Sequence, residues 1–280
     1  MAIPFVAAAV LLLAWPAQFS FAGVAEGRAA YARKDYATAF KEFQAAAEKG
    51  DAEAQYQLGL LYRAGRGTRQ DLAKSVEWLR KAADQKHALA QYNLGVMYSA
   101  GRGMARDDAE AVQWFRKAAD AGLPEAQYNL GAAYQEGRGI TQDFGESLKW
   151  YRKAADRNLP IALYAIGTQH YQGQGVAKNP GEAATWFEKA ALGGYLIAQH
   201  NLSLMYEKGE GVAREPVKAY AWADVAASRL PEGGPERKRI TANRDRIAAT
   251  LKPDEKRKAD AYASELKTRL AAQGKVVPLR

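Results

Sequence analysis

The sequence predicts an all-α fold built from stacked helix-turn-helix repeats, and three observations carry that prediction. Tyr56, Tyr92, Tyr128, Tyr164 and His200 stand 36 residues apart, and Gly59, Gly95, Gly131, Gly167 and Ser203 repeat three residues later. Trp78, Trp114, Trp150, Trp186 and Trp222 keep the same step with no insertion, the mark of a tandem-repeat chain. Each period also holds two helical patterns separated by glycine on one side and by a capping residue on the other. For a chain of 280 residues, a fixed short period points to one elongated, quasi-one-dimensional body. The hydrophobic fraction of 48% is rich in alanine, which suits closely packed helices.

The first 22 residues carry no charged side chain, and the apolar run Phe5 to Trp15 has the length of a signal-peptide core. It is short for a membrane span. Ser20 and Ala22 put small residues at the −3 and −1 positions of a cleavage site, so the mature chain is expected to begin at Gly23. The chain has no cysteine. Lipid attachment through a thiol, disulfides, thiolate metal ligands and a cysteine nucleophile are thereby excluded.

Residues 23–51 read as a divergent capping repeat, two helices broken near Lys34 and Asp35. Five 36-residue repeats fill 52–231, their first helices beginning near Ala52, Ala88, Pro124, Pro160 and Leu196. Ala90, Leu94 and Met97 show the helical spacing of a buried face, beside a stripe of Gln91, Gly95 and Tyr98. Glycine inside a helix costs about 1 kcal/mol against alanine. Its return in one column therefore predicts a second helix crossing at close range. Glycine pairs such as Gly101 and Gly103, or Gly137 and Gly139, then end each first helix. They follow a helix rather than a strand and lack a third glycine, so they are no dinucleotide loop.

Second helices start at Asp71, Asp107, Asp143, Asn179 and Glu215. Asp107 with Glu110, Asp143 with Glu146, and Asn179 with Glu182 have capping-box spacing. The tryptophan that follows, with Val76, Leu79 and Ala83 in one repeat, reads as inter-helix core. The Arg-Lys pairs at 80–81, 116–117 and 152–153 sit in last turns, where cations complement the helix dipole. After Pro231 to Pro235, two charged helices, Glu236 to Leu251 and Asp254 to Ala272, form a basic C-terminal cap over 232–280. The stretch from Arg229 onward holds twice as many Lys and Arg as Asp and Glu, and so most of the net charge of +9.

The column set A-x-A-Q-Y-x-L-G-x-x-Y-x-x-G-x-G, followed by D, W and K-A-A, closely resembles the Sel-one-like repeat family, relatives of the tetratricopeptide repeats. The match spans Ala52 to Leu230, losing Gln at Leu163 and Gly at Ser203. The resemblance implies a right-handed α/α superhelical solenoid with a concave groove that holds partner proteins, of the exported bacterial type. Together with the leader, this leads to the expectation of a periplasmic or secreted chain in cell-envelope regulation or signalling, with no transmembrane segment after signal cleavage.

Little in the sequence suggests catalysis. Of the three histidines, His170 and His200 stand in tyrosine columns and His87 in an inter-repeat turn, with no HExxH or thiolate partner for a metal. No GxSxG or SxxK is present. The expectation is no catalytic residue, no cofactor and no metal; a hydrolase, as some relatives have been labelled, stands as the remote reading. Binding candidates are first-helix residues outside the packing stripes. Gln57, Asn93, Asn129 and Asn201 share a column suited to the backbone of an extended peptide, and Leu60, Val96, Ala132 and Leu204 add an apolar floor. Arg66, Arg102 and Arg138 form a second ladder between the glycines. The alternative partner is an anionic cell-envelope polymer bound through residues 236–258 by a salt-sensitive term. An exported chain is not expected to meet nucleic acid.

Overall fold

A computed structural model of the chain describes residues 17–272 and residue 274, and every described element is α-helical. Twelve repeat helices succeed one another: α1 (Ala17–Ala32), α2 (Tyr36–Glu48), α3 (Ala52–Ala64), α4 (Leu72–Asp84), α5 (Ala88–Ala100), α6 (Asp108–Asp120), α7 (Pro124–Glu136), α8 (Phe144–Asp156), α9 (Pro160–Gln172), α10 (Pro180–Leu192), α11 (Leu196–Lys208) and α12 (Pro216–Ser228). Two further helices follow, α13 (Pro235–Ala248) and α14 (Pro253–Ala272). They form two compact units, the first ending at Arg106 and the second beginning at Asp107. Consecutive helices pack side by side from α1 to α5 in the first unit and from α6 to α13 in the second, where α14 packs on α12.

The expected export signal lies, through residue 16, outside the described residues. Helix α1 runs through Ala22 and Gly23 without a break. Among the described residues no helix is long and apolar enough to cross a membrane.

The glycine columns act as their sequence suggests. A methyl group placed on Gly131 of α7 would stand 2.7 Å from the Tyr151 ring of α8, and one on Gly167 of α9 equally close to Phe187 of α10. At the fifth repeat Ser203 occupies this column and the small Ala223 that of Tyr151 and Phe187; the serine hydroxyl donates to the Ala219 carbonyl at 2.7 Å. The second glycine of each loop does more than end a helix. Gly139 has φ +69, and a Cβ there would meet the Asp108 carbonyl oxygen of α6 at 2.1 Å, so the loop lies on the start of the preceding second helix.

Asp71, Asp107, Asp143 and Asn179 are N-caps, each one residue before its helix, with side chains accepting from the first free amides. The reciprocal half of the expected capping box is replaced. The backbone amide of Asp143 donates to the Tyr134 carbonyl at 2.9 Å, and that of Asn179 to the His170 carbonyl at 2.8 Å. The cap residue's own N–H therefore ties the second helix to the end of the first, leaving the acid at the third helical position free; Glu146 pairs with Lys149 instead.

Repeats are joined by a buried glutamine. Gln55, Gln91, Gln127 and Gln199 each donate Nε2 to the carbonyl of Ala47, Ala83, Ala119 and Ala191, in the last turn of the preceding second helix. At the α8 to α9 step Leu163 takes this place. The Arg-Lys pairs have structural partners beyond the helix dipole. Lys81, Lys117 and Lys153 lie over Trp78, Trp114 and Trp150 at 4.0, 3.6 and 3.7 Å from the ring centroids, contacts worth about 0.5–1 kcal/mol each. Arg116 reaches the Tyr134 hydroxyl at 2.7 Å, and Arg80 bonds Tyr98 in the same way. Helices α13 and α14 pack on α12, with Ile247, Ala259, Ala263, Leu266 and Leu270 joining the core of the second unit.

Candidate functional site

The eight predicted groove residues are all half-buried on first helices: Gln57 and Leu60 on α3, Asn93 and Val96 on α5, Asn129 and Ala132 on α7, Asn201 and Leu204 on α11. Their chemistry differs sharply. Gln57 donates to Glu53 at 2.8 Å. Asn93 is spent internally, accepting from Arg63 at 2.6 Å through Oδ1 and donating to the Leu89 carbonyl at 2.8 Å. For Asn129 no side-chain bond is seen among the described residues. Asn201 donates to the Tyr164 hydroxyl at 3.2 Å, which leaves one N–H and its carbonyl oxygen for a ligand.

Asn201 and Leu204 meet at a cleft of about 280 Å³ between α9 and α11. Tyr164 and Thr168 form one wall, Leu204 and Met205 the other, Phe187 of α10 the floor, and Tyr171, Lys208 and Glu210 the mouth. Tyr164 is stacked on Phe187 at 5.2 Å and tilted against Tyr195 at 5.0 Å. The Tyr171 hydroxyl donates to Glu210 at 2.7 Å, and that bond pushes its pKa up. Ile197, one turn before Asn201, is 46% exposed. Ile197, Asn201, Leu204 and Lys208 share one face of α11, on which Ile197 and Leu204 form a short apolar strip beside Asn201.

Sequence reasoning passed over Tyr171 and Glu210, although a signal was present. Glu210 stands in the column of Arg66, Arg102 and Arg138, and Tyr171 in that of Arg63, Ser99 and Gln135. Glu210 reverses the charge of the arginine ladder and bonds Tyr171, whose column holds a different residue in every repeat, at the mouth of one cleft. The arginine ladder itself is partly structural: Arg66 lies over Tyr31 and Tyr36 at 5.6 and 5.1 Å, and Arg138 pairs with Glu136.

In the first unit the polar hub is Glu53. Burial opposes its charge, but hydrogen bonds from Arg28, Gln57 and His87 outweigh it and hold the pKa at about 2. His87 caps α5, its Nδ1 accepting from the Ala90 amide, so Nε2 carries the proton donated to Glu53 at 3.0 Å. Tyr56 stacks on this imidazole at 4.7 Å. Among the described residues no group of three or more acidic or histidine side chains is placed to hold a metal ion.

The basic cap is largely occupied with its own acids. Arg244 and Lys267 both engage Asp224, at 3.0 and 2.6 Å, Arg246 pairs with Glu207, Arg239 with Glu236, Lys256 with Asp260 and Arg257 with Asp254. These pairs reduce the charge that a polymer would meet between residues 236 and 258.

The family model for the Sel1 repeat matches residues 20–51, 52–87, 88–123, 124–159, 160–195 and 196–229. No curated protein matches the chain. Among solved structures, it is similar to a Sel1 repeat protein from Oxalobacter formigenes at 29% identity, covering 86% of this chain and 96% of that one, with a TM-score of 0.74. It is more remotely similar to c5321, a protective antigen of uropathogenic Escherichia coli strains, at 24% identity over 90% of this chain and 79% of that one, with a TM-score of 0.44. Immunity protein Pa5087 from Pseudomonas aeruginosa stands at 23% identity, 88% and 89% coverage, and a TM-score of 0.44.

Proposed function

The chain belongs to the Sel1 repeat family, and from that footing we propose that it is an exported scaffold that holds a partner protein or extended peptide along its first helices, in cell-envelope regulation or signalling. The observation that carries this reading is the α9 to α11 cleft, where Asn201 keeps hydrogen-bonding capacity beside an apolar wall. Its mechanism is recognition, with backbone amides of the guest read by the asparagine and side chains by the apolar strip. Export rests on the uncharged leader and the Ser20 and Ala22 spacing. Cleavage there would leave residues 23–32 of α1, which still carry the buried Val24 and Ala30.

The test is made in the native host. A photo-crosslinking amino acid is placed in turn at Leu60, Val96, Ala132 and Leu204, and the periplasmic fraction is irradiated. A discrete adduct from one or more of these positions, on a chain whose N-terminus sequences as Gly23, is the expected result. An uncleaved chain confined to the cytoplasm refutes export, and a lack of adducts from all four positions refutes the groove.

A further inference from the structure

Resting on that scaffold reading, we propose that the α9 to α11 cleft is the anchor point of the partner: it receives one bulky apolar side chain, such as phenylalanine, from an extended segment with an acidic residue close by in sequence. The walls decide the class of anchor. Phe187, Leu204 and Met205 offer carbon and sulfur, and a cleft of about 280 Å³ accommodates one large side chain rather than a folded element. Tyr164 is stacked on Phe187 and tilted against Tyr195, and its hydroxyl accepts from Asn201, so the ring is held in place as part of an aromatic and aliphatic lining that suits an apolar guest.

Asn201 stands at the cleft with one N–H and a carbonyl uncommitted, the pattern that pairs with a single peptide unit on either side of the anchor. The exposed Ile197 extends the apolar strip along α11.

Charge sets the flank. Glu210 already accepts from the Tyr171 hydroxyl, whereas Lys208 is exposed and meets no carboxylate among the described residues. The available complement at the mouth is therefore a guest carboxylate. Lys208 and Ile197 lie at opposite ends of one helix face, so the guest meets an apolar end and a cationic end.

The few methionines make the protein its own reporter, because Met205 lines the cleft while Met97 is buried in the first unit. The protein as purified from its host, with 13C in its methionine methyl groups, is titrated with the peptide acetyl-Gly-Ser-Phe-Ser-Asp-Gly-amide. A saturable shift of the Met205 methyl, with Met97 unmoved, is expected. Replacing the peptide's phenylalanine by alanine should weaken binding about tenfold or more. Lys208→Glu should weaken it about two- to fivefold at low salt, with the difference closing at high salt. The anchor is overturned if Met205 stays fixed, if the alanine peptide binds equally well, or if an N-acetylglucosamine trisaccharide moves Met205 where the peptide does not. Equal affinity in Lys208→Glu overturns the acidic flank. A partner that crosslinks from Leu60 or Val96 while Met205 ignores the peptide would end this proposal and leave the scaffold reading standing; a Met205 response with no crosslink anywhere would do the reverse.

Discussion

Replacing Gly131 by serine and Tyr151 by alanine, singly and together, measures how the two helices of a repeat are held at their closest approach. Tyr151 is 2% exposed, and removing a ring of that size from a packed site costs about 3–5 kcal/mol. A Cβ on Gly131 falls 2.7 Å from the Tyr151 ring and 3.2 Å from the Ser147 carbonyl, well inside ordinary contact. Overpacking of that kind costs about 1–3 kcal/mol, of which the better helix propensity of serine returns about 0.5 kcal/mol. The double variant Gly131→Ser, Tyr151→Ala copies the residues that the fifth repeat holds in these two columns, Ser203 and Ala223. With the ring gone the added Cβ has room, so the two losses should fail to add by about 1 kcal/mol or more. Urea unfolding followed by circular dichroism at 222 nm gives the four stabilities of the cycle. Losses that add to within about 0.5 kcal/mol would refute the reasoning, since the steric conflict would then have no energetic counterpart.

Glu53 predicts a pH window. Its folded pKa of about 2 lies below the ordinary 4.5, so its stabilisation is present above pH 4.5 and is lost as pH falls toward 2. Glu53→Gln should therefore be less stable than wild type by about 1–3 kcal/mol at pH 6 and nearly equal at pH 2; a difference that ignores pH sinks the assignment. His200 behaves in the same direction for a different reason. Burial lowers its pKa, with Arg239 of α13 adding to the effect against the opposing Glu236, so the folded state resists protonation below pH 6.5. Stability should fall between pH 7 and 5 more steeply in wild type than in His200→Tyr, which restores the residue of that column; parallel slopes in a thermal melt would contradict this. Lys86 has φ +65 where Gly50, Gly122 and Gly194 occupy the same turn, and Asn158 also takes the left-handed conformation there. Lys86→Gly should then stabilise the first unit by about 0.5–1 kcal/mol in the same unfolding assay, and a loss of stability would show that the lysine side chain matters more than its backbone.

What could be read from the sequence was what is local and periodic. Helix starts fall where Asp71, Asp143 and Asn179 predict, because a cap acts on amides two or three residues away. Helix ends fall at the glycine pairs for the same reason. The crossing at Gly131 and Gly167 was legible because an in-helix glycine needs a compensating contact. What escaped the sequence joins distant positions. The glutamine column was visible, but its partner carbonyl lies eight residues back across a turn, and only the packed repeats bring Gln91 to Ala83. The lysines at 81, 117 and 153 read as dipole complements until the tryptophan rings were found beneath them. Within the candidate site the asparagine column was legible, yet identical residues meet unlike neighbours: Arg63 consumes Asn93, whereas Asn201 is left half free beside an apolar wall.

That difference gives departures from the repeat more weight than the repeat itself. A column that returns through the repeats is explained by the stacking it serves, as the glutamine column, present four times, and the tryptophan column, present five times, are. A residue that breaks its column has been released from that constraint, and in the fourth and fifth repeats several breaks lie close together. Leu163 gives up the glutamine bond, Ala165 stands where asparagine is expected, and Glu210 reverses the charge of the arginine ladder. Tyr171 would be an arbitrary substitution were Glu210 not there to accept its hydroxyl, and Glu210 would lack that donor without Tyr171. Neither residue serves a contact that the other repeats make. Because they meet at the mouth of a cleft that also holds Asn201 and Leu204, the simplest physical account is that this step of the stack answers to a guest. Copying the third repeat's residues, Gln135 and Arg138, with Tyr171→Gln and Glu210→Arg should accordingly leave the unfolding stability within about 0.5 kcal/mol of wild type while weakening whatever crosslinks from Leu204. Partner capture that survives the paired substitution would return both residues to the ordinary variation of an exposed loop.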